Sequence, residues 1–476
     1  MTEPTKPAPA ERPRVLLVDP YRARDDPMER KFIELYPSLG LLTLAAFLRS
    51  HGCEVSIVDL TFSRDDRDFE RALERWRPQV VGLHTKTLTY RRSISLARRA
   101  KSAGAVVVAG GPDAATRTDE YLADGVDAVA YSEGEEVLLD LARNVASGRP
   151  VEPWSGLAVR KDGKVVRGPP RPFLKDLDSL PLPAWDLVDM EAYLSAWERK
   201  TGERRAAILT SRGCPFHCSW CSKPTFGTTF RQQSPARVLA ELRALRDRYR
   251  VNYVRFCDDV FGIQRSWLTQ LLDGMERERL DLHFECLARV DLLKPDLLPR
   301  LKAAGLARVY VGVESGSQRM LDLMSRGTRL SQVESVATAL RREGIRQFWF
   351  LMLGYPGETL EDIEATLELF RRFSPEEYSV SIAVPIPGTR FFDSVRDRLK
   401  DPGARRASDG GKTLLYEAAY PNRLYRWQQT RFRIEAALAR TRGRLPDRAR
   451  EGLSRTADRF NEKVATPLLT GGKKPR

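Results

Sequence analysis

The sequence predicts an α/β protein: a doubly wound N-terminal domain, a second series of βα repeats, and a helical C-terminal region. Two observations predict this class. Short, nearly continuous apolar runs recur up to about residue 395, and stretches with helical periodicity separate them. Parallel strands that are covered on both faces of a sheet show this pattern. Beyond residue 396 the chain is basic, and its apolar residues recur at helical spacing.

Residues 12–150 predict the doubly wound, Rossmann- or flavodoxin-like domain, with helices at Leu39–His51 and Arg91–Ala103. Ligands of such sheets sit at the carboxyl ends of the strands, and glycine-rich turns occur there at Gly110–Thr116 and Ser132–Glu136. No GxGxxG follows the first strand, which argues against a dinucleotide site. The predicted strands are Arg14–Asp19, Glu54–Asp59, Val80–His84, Ala105–Ala109 and Val126–Ala130.

Residues 151–204 predict a connector that contains a hairpin, Gly156–Arg167, with its turn at Asp162 and Gly163. Residues 205–395 then repeat the βα unit, which implies parallel strands with right-handed crossovers. Six strands are fewer than the eight of a closed barrel, so we expect a partial (βα)6 barrel. The six strands are Arg205–Thr210, Asn252–Cys257, His283–Leu287, Arg308–Val313, Gln347–Leu353 and Tyr378–Val384.

A cysteine motif opens the second module. Cys214, Cys218 and Cys221 stand in CxxxCxxC spacing, and a loop of this length can turn three thiolates toward one centre. Thiolates are soft ligands that suit iron–sulfur clusters. Three ligands leave one iron of a 4Fe–4S cluster open, as in reactive rather than structural metal sites. The alternative is a zinc knuckle, but zinc prefers four ligands and no fourth cysteine or histidine has matching spacing.

This motif, followed in order by Glu314–Ser317, Gly354–Thr359 and Pro385–Thr389, resembles that of the radical SAM enzymes. In that family the amino and carboxylate groups of S-adenosylmethionine bind the open iron, and reductive cleavage yields a 5′-deoxyadenosyl radical. The resemblance implies a 4Fe–4S cluster on the three cysteines and an acid, Asp258 or Asp259, pointing into the cavity. We take Asp259 as the catalytic candidate. The implied S-adenosylmethionine contacts are Glu314, Ser315, Gly354, Pro356 and Gly357.

The first domain resembles the cobalamin-binding domain that precedes the radical module in one subclass of this family. Relatives often read Gly-Gly-Pro-His where Asp113 takes the place of the histidine. An Asp-x-His-x-x-Gly signature is also absent, so that motif supplies no histidine to cobalt. The alternative is a vestigial flavodoxin-like domain that binds no cobalamin. The implied cobalamin contacts are Leu39, Gly40, Thr85, Gly110, Gly111, Pro112, Glu133, Gly134 and Glu135.

The resemblance implies a cobalamin-dependent radical SAM enzyme, most often one that methylates an unactivated carbon of a small molecule, lipid or tetrapyrrole. An electron donor such as flavodoxin or ferredoxin is implied with it. Cyclisation or ring rearrangement is the alternative within the subclass. An RNA-modifying methylthiotransferase would carry a second cysteine triad in the first domain, where only Cys53 stands. A non-catalytic sensor would not need the intact triad, Glu314 or the Gly354–Gly357 turn.

Charge and hydropathy limit the remaining choices. The 476 residues carry a net charge of +15, which we attribute to solvated arginine-rich helices rather than to a nucleic-acid site. No run approaches about 18 apolar residues, so no membrane-spanning helix is expected. Residues 1–11 read as a disordered tail, and the cysteine usage fits the cytoplasm.

The C-terminal region, residues 396–476, contains a loop at 401–411 and a basic amphipathic helix at Leu424–Arg442. We expect this helix to pack on the barrel, with peripheral contact to an anionic membrane as the alternative. Its predicted apolar side is formed by Leu424, Trp427, Ile434 and Leu438.

Overall fold

The computed structural model describes residues 12–26, 35–223, 226–400, 413–441 and 445–470. The predicted tail at 1–11 and the predicted loop at 401–411 lie outside these ranges. The chain forms two compact units, one of residues 1–214 with 223–257, the other of residues 215–222 with 258–476. The domain limits inferred from the sequence stay predictions.

The first unit is built on a seven-stranded sheet in the order β2-β1-β3-β4-β5-β6-β7. The first five strands are parallel, as predicted, and each lies within two residues of its predicted start. The predicted hairpin forms β6 and β7, which pair antiparallel and extend the same sheet beyond β5. The strands are β1 (Arg14–Asp19), β2 (Glu54–Asp59), β3 (Val80–His84), β4 (Val106–Gly110), β5 (Ala128–Ala130), β6 (Leu157–Lys161) and β7 (Lys164–Arg167).

Helices cover both faces of this sheet. Alternate residues of each strand point to opposite faces, and two separate cores result. Leu17 belongs to one core with α1 and α6, whereas Leu16 belongs to the other with α2 and α3. The predicted doubly wound arrangement is therefore confirmed. The helices are α1 (Leu39–Ser50), α2 (Arg67–Trp76), α3 (Tyr90–Ser102), α4 (Pro112–Thr116), α5 (Thr118–Ala123), α6 (Gly134–Ala146) and α7 (Met190–Thr201).

The first unit also contains the start of the second βα series. Its first long helix is capped by Ser234, whose hydroxyl accepts a hydrogen bond from the Arg237 amide at 3.2 Å, with Pro235 in the first turn. Two strands of this series pair in parallel, and a short antiparallel pair lies between them in the sequence. These elements are β8 (Arg205–Ile208), β9 (Ser211–Arg212), β10 (Arg231–Gln232), α8 (Pro235–Tyr249) and β11 (Tyr253–Phe256).

The second unit contains the other four predicted strands, which pair in parallel in chain order. Thr359 and Asp362 form a capping box at the start of the helix that follows the third of these strands. The elements are β12 (His283–Ala288), β13 (Leu306–Glu314), β14 (Arg346–Leu353), β15 (Glu377–Ile382), α9 (Arg265–Arg277), α10 (Leu298–Ala303), α11 (Gln318–Leu323), α12 (Leu330–Arg342), α13 (Leu360–Phe373) and α14 (Arg390–Val395).

The predicted C-terminal helix is α15 (Asn422–Arg440), which packs on α13 and β15. It is followed by α16 (Asp447–Phe460), a π-helical turn at Asn461–Ala465 and α17 (Thr466–Thr470). Within the described ranges, no helix is both long and apolar enough to cross a membrane.

Of the four residues predicted on the apolar side of α15, one is fully buried and three are partly buried. Leu424 is buried, but Trp427, Ile434 and Leu438 are only partly buried. The buried face instead carries Arg431, which donates to Glu364 Oε2 at 2.9 Å and to Asp458 Oδ1 at 2.6 Å. Because Arg431 is paired with two carboxylates, its charged side chain can be buried on a helix face where helical periodicity predicts apolar residues.

Candidate functional site

A cavity of about 360 Å³ lies in the first unit at the carboxyl ends of β3, β4 and β5, with α1 and α6 as its walls. Its lining is mainly apolar, with side chains such as Leu17, Leu44 and Leu138. All the residues predicted to contact cobalamin line it, with the exception of Thr85. They are Leu39, Gly40, Gly110, Gly111, Pro112, Glu133, Gly134 and Glu135.

The turn after β4 depends on glycine. Gly111 has φ +98°, and a Cβ there would lie 2.9 Å from His84 Cδ2 and 3.0 Å from the Thr85 carbonyl oxygen. Thr85 is fully buried. Its hydroxyl donates to the Gly110 carbonyl at 2.8 Å and accepts from the Ala114 amide at 2.9 Å. Thr85 therefore holds the turn in place, and any direct contact with a cofactor stays a prediction.

The two predicted carboxylates of the cavity are engaged in a buried ionic network. Arg212 donates to Glu133 at 3.2 Å and to Glu135 at 2.5 Å, while Arg231 donates to Glu133 at 2.7 Å. The Leu174 amide donates to the second oxygen of Glu133 at 2.8 Å. Removal of one partner would leave a buried charge unpaired, so these acids fix the cavity wall whatever else they contact.

Sequence reasoning missed a charged cluster where β1 and β3 end. Asp19 is 3% exposed, and its Oδ2 lies 3.2 Å from Lys86 Nζ and 3.6 Å from His84 Nδ1. Burial alone would raise the pKa of Asp19, but its pairing with His84 and the charge of Lys86 hold the pKa well below its usual range. The signal was present, because both Asp19 and His84 end strands that were predicted correctly.

In the second unit, the sulfur of Cys218 faces two arginines. Arg326 Nη1 lies 3.5 Å from Cys218 Sγ, and Arg289 Nη1 lies 3.7 Å from it. Guanidinium donors stabilise anionic sulfur, so this environment suits a thiolate ligand. Cys221 is exposed, and Cys214, in the first unit, is buried. In the part of the chain that the structure describes, no three His, Cys, Asp or Glu side chains are grouped to hold a metal ion, so the cluster site stays a prediction.

The loop that carries Cys218 and Cys221 is held through its backbone and through Ser219. The Ser219 amide and hydroxyl lie 3.0 and 2.9 Å from the Met324 carbonyl oxygen, and the hydroxyl lies 2.6 Å from Tyr355 Oη. The Phe391 amide donates to the Ser219 carbonyl at 3.0 Å, and Arg390 donates to the His217 carbonyl at 2.6 Å. The loop is therefore positioned by segments that follow β13, β14 and β15.

Glu314 ends β13 in a left-handed conformation, φ +65°, next to a shift in register. Its Oε1 lies 4.0 Å from Arg326 Nε. Burial raises the pKa of Glu314, although Arg326 and Arg289 act in the opposite direction. Ser315, the next predicted contact, is fully buried, with its hydroxyl 3.1 Å from Thr366 Oγ1. Ser315 thus fixes the backbone of the segment to α13.

The predicted turn Gly354–Gly357 follows β14 and is tied at both ends. The Gly354 amide donates to Glu358 Oε2 at 2.6 Å, Tyr416 donates to the Gly354 carbonyl, and Arg319 donates to the Gly357 carbonyl at 2.8 Å. Glu358 is 1% exposed. Burial raises the pKa of Glu358 to about 8. The hydrogen bond from Gly354 lowers this pKa, and the nearby charge of Asp362 raises it further. Tyr416 was not expected at this site, since nothing near it in the sequence marks it.

The two acids after β11 differ in burial. Asp258 is buried, whereas Asp259, the predicted catalytic residue, is exposed. Burial and then the charge of Asp258 raise the pKa of the Cys286 thiol, which makes this cysteine an inert part of the core. The structure thus favours Asp258 as the acid that points inward, and the catalytic assignment of Asp259 stays a prediction.

Two family models match the chain. The model of the radical SAM superfamily matches residues 208–370. The model of the B12 binding domain matches residues 31–142, the region of the apolar cavity.

Curated relatives are similar over most of their length. An uncharacterized methyltransferase of Pyrococcus horikoshii is 31% identical over 368 residues, which are 75% of this chain and 78% of that protein. The anaerobic magnesium-protoporphyrin IX monomethyl ester cyclase of Rubrivivax gelatinosus is 28% identical over 378 residues, 77% of this chain and 67% of that enzyme.

A solved structure shares the fold. The radical S-adenosylmethionine methyltransferase TsrM of Kitasatospora setae, solved with cobalamin and a [4Fe-4S] cluster bound, superposes with a TM-score of 0.68 at 22% identity. The match covers 82% of this chain and 76% of that one. At this identity the likeness establishes the architecture.

Proposed function

Since this chain belongs to the radical SAM superfamily, in the group whose radical module follows a B12-binding domain, we propose that it is a C-methyltransferase. The reaction adds a methyl group to an unactivated carbon of a small molecule, lipid or tetrapyrrole. The observation that carries the proposal is the 31% identity to the uncharacterized methyltransferase of Pyrococcus horikoshii along 75% of the chain, because this similarity extends over more residues than the radical module.

Cys214, Cys218 and Cys221 would hold the 4Fe–4S cluster, and their number leaves one iron open for S-adenosylmethionine. When both are bound, the cluster supplies the electron that cleaves S-adenosylmethionine. The structure supports this assignment through Arg289 and Arg326, whose guanidinium groups lie 3.7 and 3.5 Å from Cys218 Sγ. These two cations stabilise negative charge on the sulfur and orient the loop.

Glu314 would accept hydrogen bonds from the ammonium or hydroxyl groups of S-adenosylmethionine, and the Gly354–Gly357 turn would offer its backbone. Three features support this role. Glu314 is buried beside Arg326, Ser315 locks its segment to α13, and Tyr416 and Glu358 tie Gly354 from both sides of its peptide unit. Because these segments are already held in place, they lose less conformational entropy when the ligand binds.

The chemistry and position of the cavity in the first unit support a cobalamin site there. It is mainly apolar, it lies at the carboxyl ends of parallel strands, and the glycine turn at Gly111 forms part of its lining. Gly40, Gly111, Pro112 and Gly134 would approach the cofactor through their backbone, while Glu133 and Glu135 hold the wall through Arg212. When bound, cobalamin supplies the methyl carrier.

The test uses the full-length protein, reconstituted without oxygen with iron, sulfide and hydroxocobalamin and then reduced. It receives S-adenosylmethionine with a deuterated methyl group and, separately, pools of tetrapyrroles, prenyl lipids and small metabolites. A methyltransferase forms 5′-deoxyadenosine and S-adenosylhomocysteine together, along with a product that carries the deuterated methyl group. Cys218→Ala must abolish 5′-deoxyadenosine. If the reduced holoenzyme releases neither compound with any pool, the proposal is wrong.

Cyclisation is the second candidate, because the 28% identical Rubrivivax gelatinosus relative is a cyclase. A cyclase forms 5′-deoxyadenosine without S-adenosylhomocysteine, so the ratio of the two products separates the candidates. No methyl group from S-adenosylmethionine would then enter the product.

We further propose that the enzyme works in the cytoplasm and receives its electron from a flavodoxin or ferredoxin. A cluster of low potential needs a reducing compartment, and six cysteines in 476 residues are too few for a disulfide scaffold. Replacement of dithionite by each reduced carrier protein, with 5′-deoxyadenosine as the readout, tests the donor directly. Failure of both carriers to support turnover would contradict this assignment.

A further inference from the structure

His84 stands at the centre of the first sheet, as the last residue of β3. Its neighbour in the sheet is β1, and the helices that follow these two strands, α3 and α1, belong to opposite faces. Ligands of doubly wound sheets bind at this reversal of strand order, outside the carboxyl ends of the strands. His84 lines the cavity proposed for cobalamin, and its side chain retains 19% exposure.

One ring nitrogen of His84 is occupied by protein groups. Nδ1 lies 3.2 Å from Ser38 Oγ and 3.6 Å from Asp19 Oδ2. The same Asp19 oxygen lies 3.2 Å from Lys86 Nζ, and a carboxylate that is paired with a lysine can only accept hydrogen bonds. The proton of a neutral His84 is therefore on Nδ1, and Nε2 carries the lone pair. Among the described residues, no hydrogen bond engages Nε2.

The backbone of the glycine turn packs against the edge of the ring next to Nε2. Gly111 faces this edge, and a Cβ on Gly111 would lie 2.9 Å from Cδ2, the atom next to Nε2. Histidines that bind metals characteristically donate their other N–H to a carboxylate, which fixes the tautomer and raises the basicity of the free nitrogen. Asp19, His84 and the glycine turn reproduce that arrangement at the mouth of a cavity.

We infer that His84 binds the cobalt of cobalamin through Nε2, with Asp19 and Ser38 holding the ring through Nδ1. The inference rests on the proposed function, since it requires that the cavity take up cobalamin. The chain lacks the Asp-x-His-x-x-Gly signature, but the fold assembles an aspartate and a histidine from two neighbouring strands.

Paramagnetic resonance of the Co(II) form provides the test. The chain contains only four histidines, at positions 51, 84, 217 and 283. The full-length protein is prepared with nitrogen-15 in its histidine rings, loaded with unlabelled cobalamin, analysed for cobalt and reduced to Co(II). A histidine ligand splits each cobalt line into a doublet. The benzimidazole of unlabelled cobalamin would give a triplet, and a water ligand would give no nitrogen splitting.

We expect the doublet in the labelled wild type and its loss in His84→Ala. The doublet must also persist in His51→Ala, His217→Ala and His283→Ala, each taken singly, so the assignment stands even if the His84 variant folds poorly. A triplet, an unsplit spectrum, or loss of the doublet in one of the other three variants would overturn the inference. A protein that binds no cobalt would instead refute the cobalamin assignment itself, which separates the two failures.

Discussion

Ionisation of the buried Glu358 carboxyl should destabilise the folded protein as the pH rises, and a single substitution should remove this effect. The Glu358 side chain is 1% exposed, and Oε2 accepts the Gly354 amide at 2.6 Å. Oε1 is buried and has no hydrogen-bond partner among the described residues. Burial raises the pKa of Glu358 from 4.5 to about 8, so the folded protein holds this carboxyl protonated near neutral pH. Glutamine has the same shape, accepts the same amide and cannot ionise.

The magnitude follows from proton linkage. Between its pKa in the unfolded chain and its pKa in the folded chain, Glu358 binds more protons in the folded state, so the free energy of unfolding falls as the pH rises. The slope is about 1.4 kcal/mol per pH unit. From about pH 5.5 to about pH 7.5 the wild type should therefore lose roughly 3 kcal/mol at this site. Glu358→Gln should lose none of it, and the two proteins should be nearly equal in stability toward pH 5.

Urea unfolding at a series of pH values, followed by tryptophan fluorescence on the apoprotein, measures this difference. Glu361→Gln is the matched control, because Glu361 is exposed in the same turn and its pKa is lowered, chiefly by a backbone hydrogen bond, so it stays ionised across the range. The control should keep the pH slope of the wild type. Equal slopes for the wild type and Glu358→Gln would show that Glu358 is ionised in the folded protein and refute the reasoning.

Three further substitutions probe the proposed cofactor sites. Cys218→Ala should remove the cluster absorbance and all 5′-deoxyadenosine formation, whereas Cys53→Ala should change neither; an intact cluster in the first variant would contradict the ligand assignment. Arg326→Met removes a charge-assisted contact worth about 1.5–3 kcal/mol, so the rate of S-adenosylmethionine cleavage should fall roughly ten- to a hundredfold, and an unchanged rate would count against it. Gly111→Ala places a Cβ 2.9 Å from His84 and should lower the cobalt content at unchanged iron, whereas Gly104→Ala, with a similar positive φ and open space around it, should not. Equal cobalt in both would argue against the cavity.

The strands could be predicted because a parallel sheet covered on both faces demands continuous apolar runs. Observed β1, β2 and β3 coincide with their predicted limits, and β4 is shifted by one residue. The face of α15 could not be predicted in the same way. Arg431 is buried there by partners on α13 and α16, at Glu364 and Asp458, and helical periodicity does not register such pairs.

Some residues of the candidate sites could be predicted from local motifs, and others could not. The family resemblance pointed to the glycine turn at Gly111 and to the segment at Glu314, and both residues have a positive φ in the structure. Arg326 was missed, since it reaches Cys218 across 108 residues of sequence. His84 was missed as well, because its partner Asp19 belongs to another strand and no local motif joins them. Tertiary contacts of this kind depend on strand order, which the sequence pattern leaves open.

Metal analysis of the reconstituted protein tests the central claim most directly. The full-length chain is loaded anaerobically with iron, sulfide and hydroxocobalamin, desalted, and analysed for iron, cobalt and its absorption spectrum. A cobalamin-dependent radical SAM enzyme should retain about four irons and about one cobalt per chain, with corrin absorbance that survives desalting. Iron without cobalt would contradict the account, because the first unit would then hold an apolar cavity that serves some other ligand.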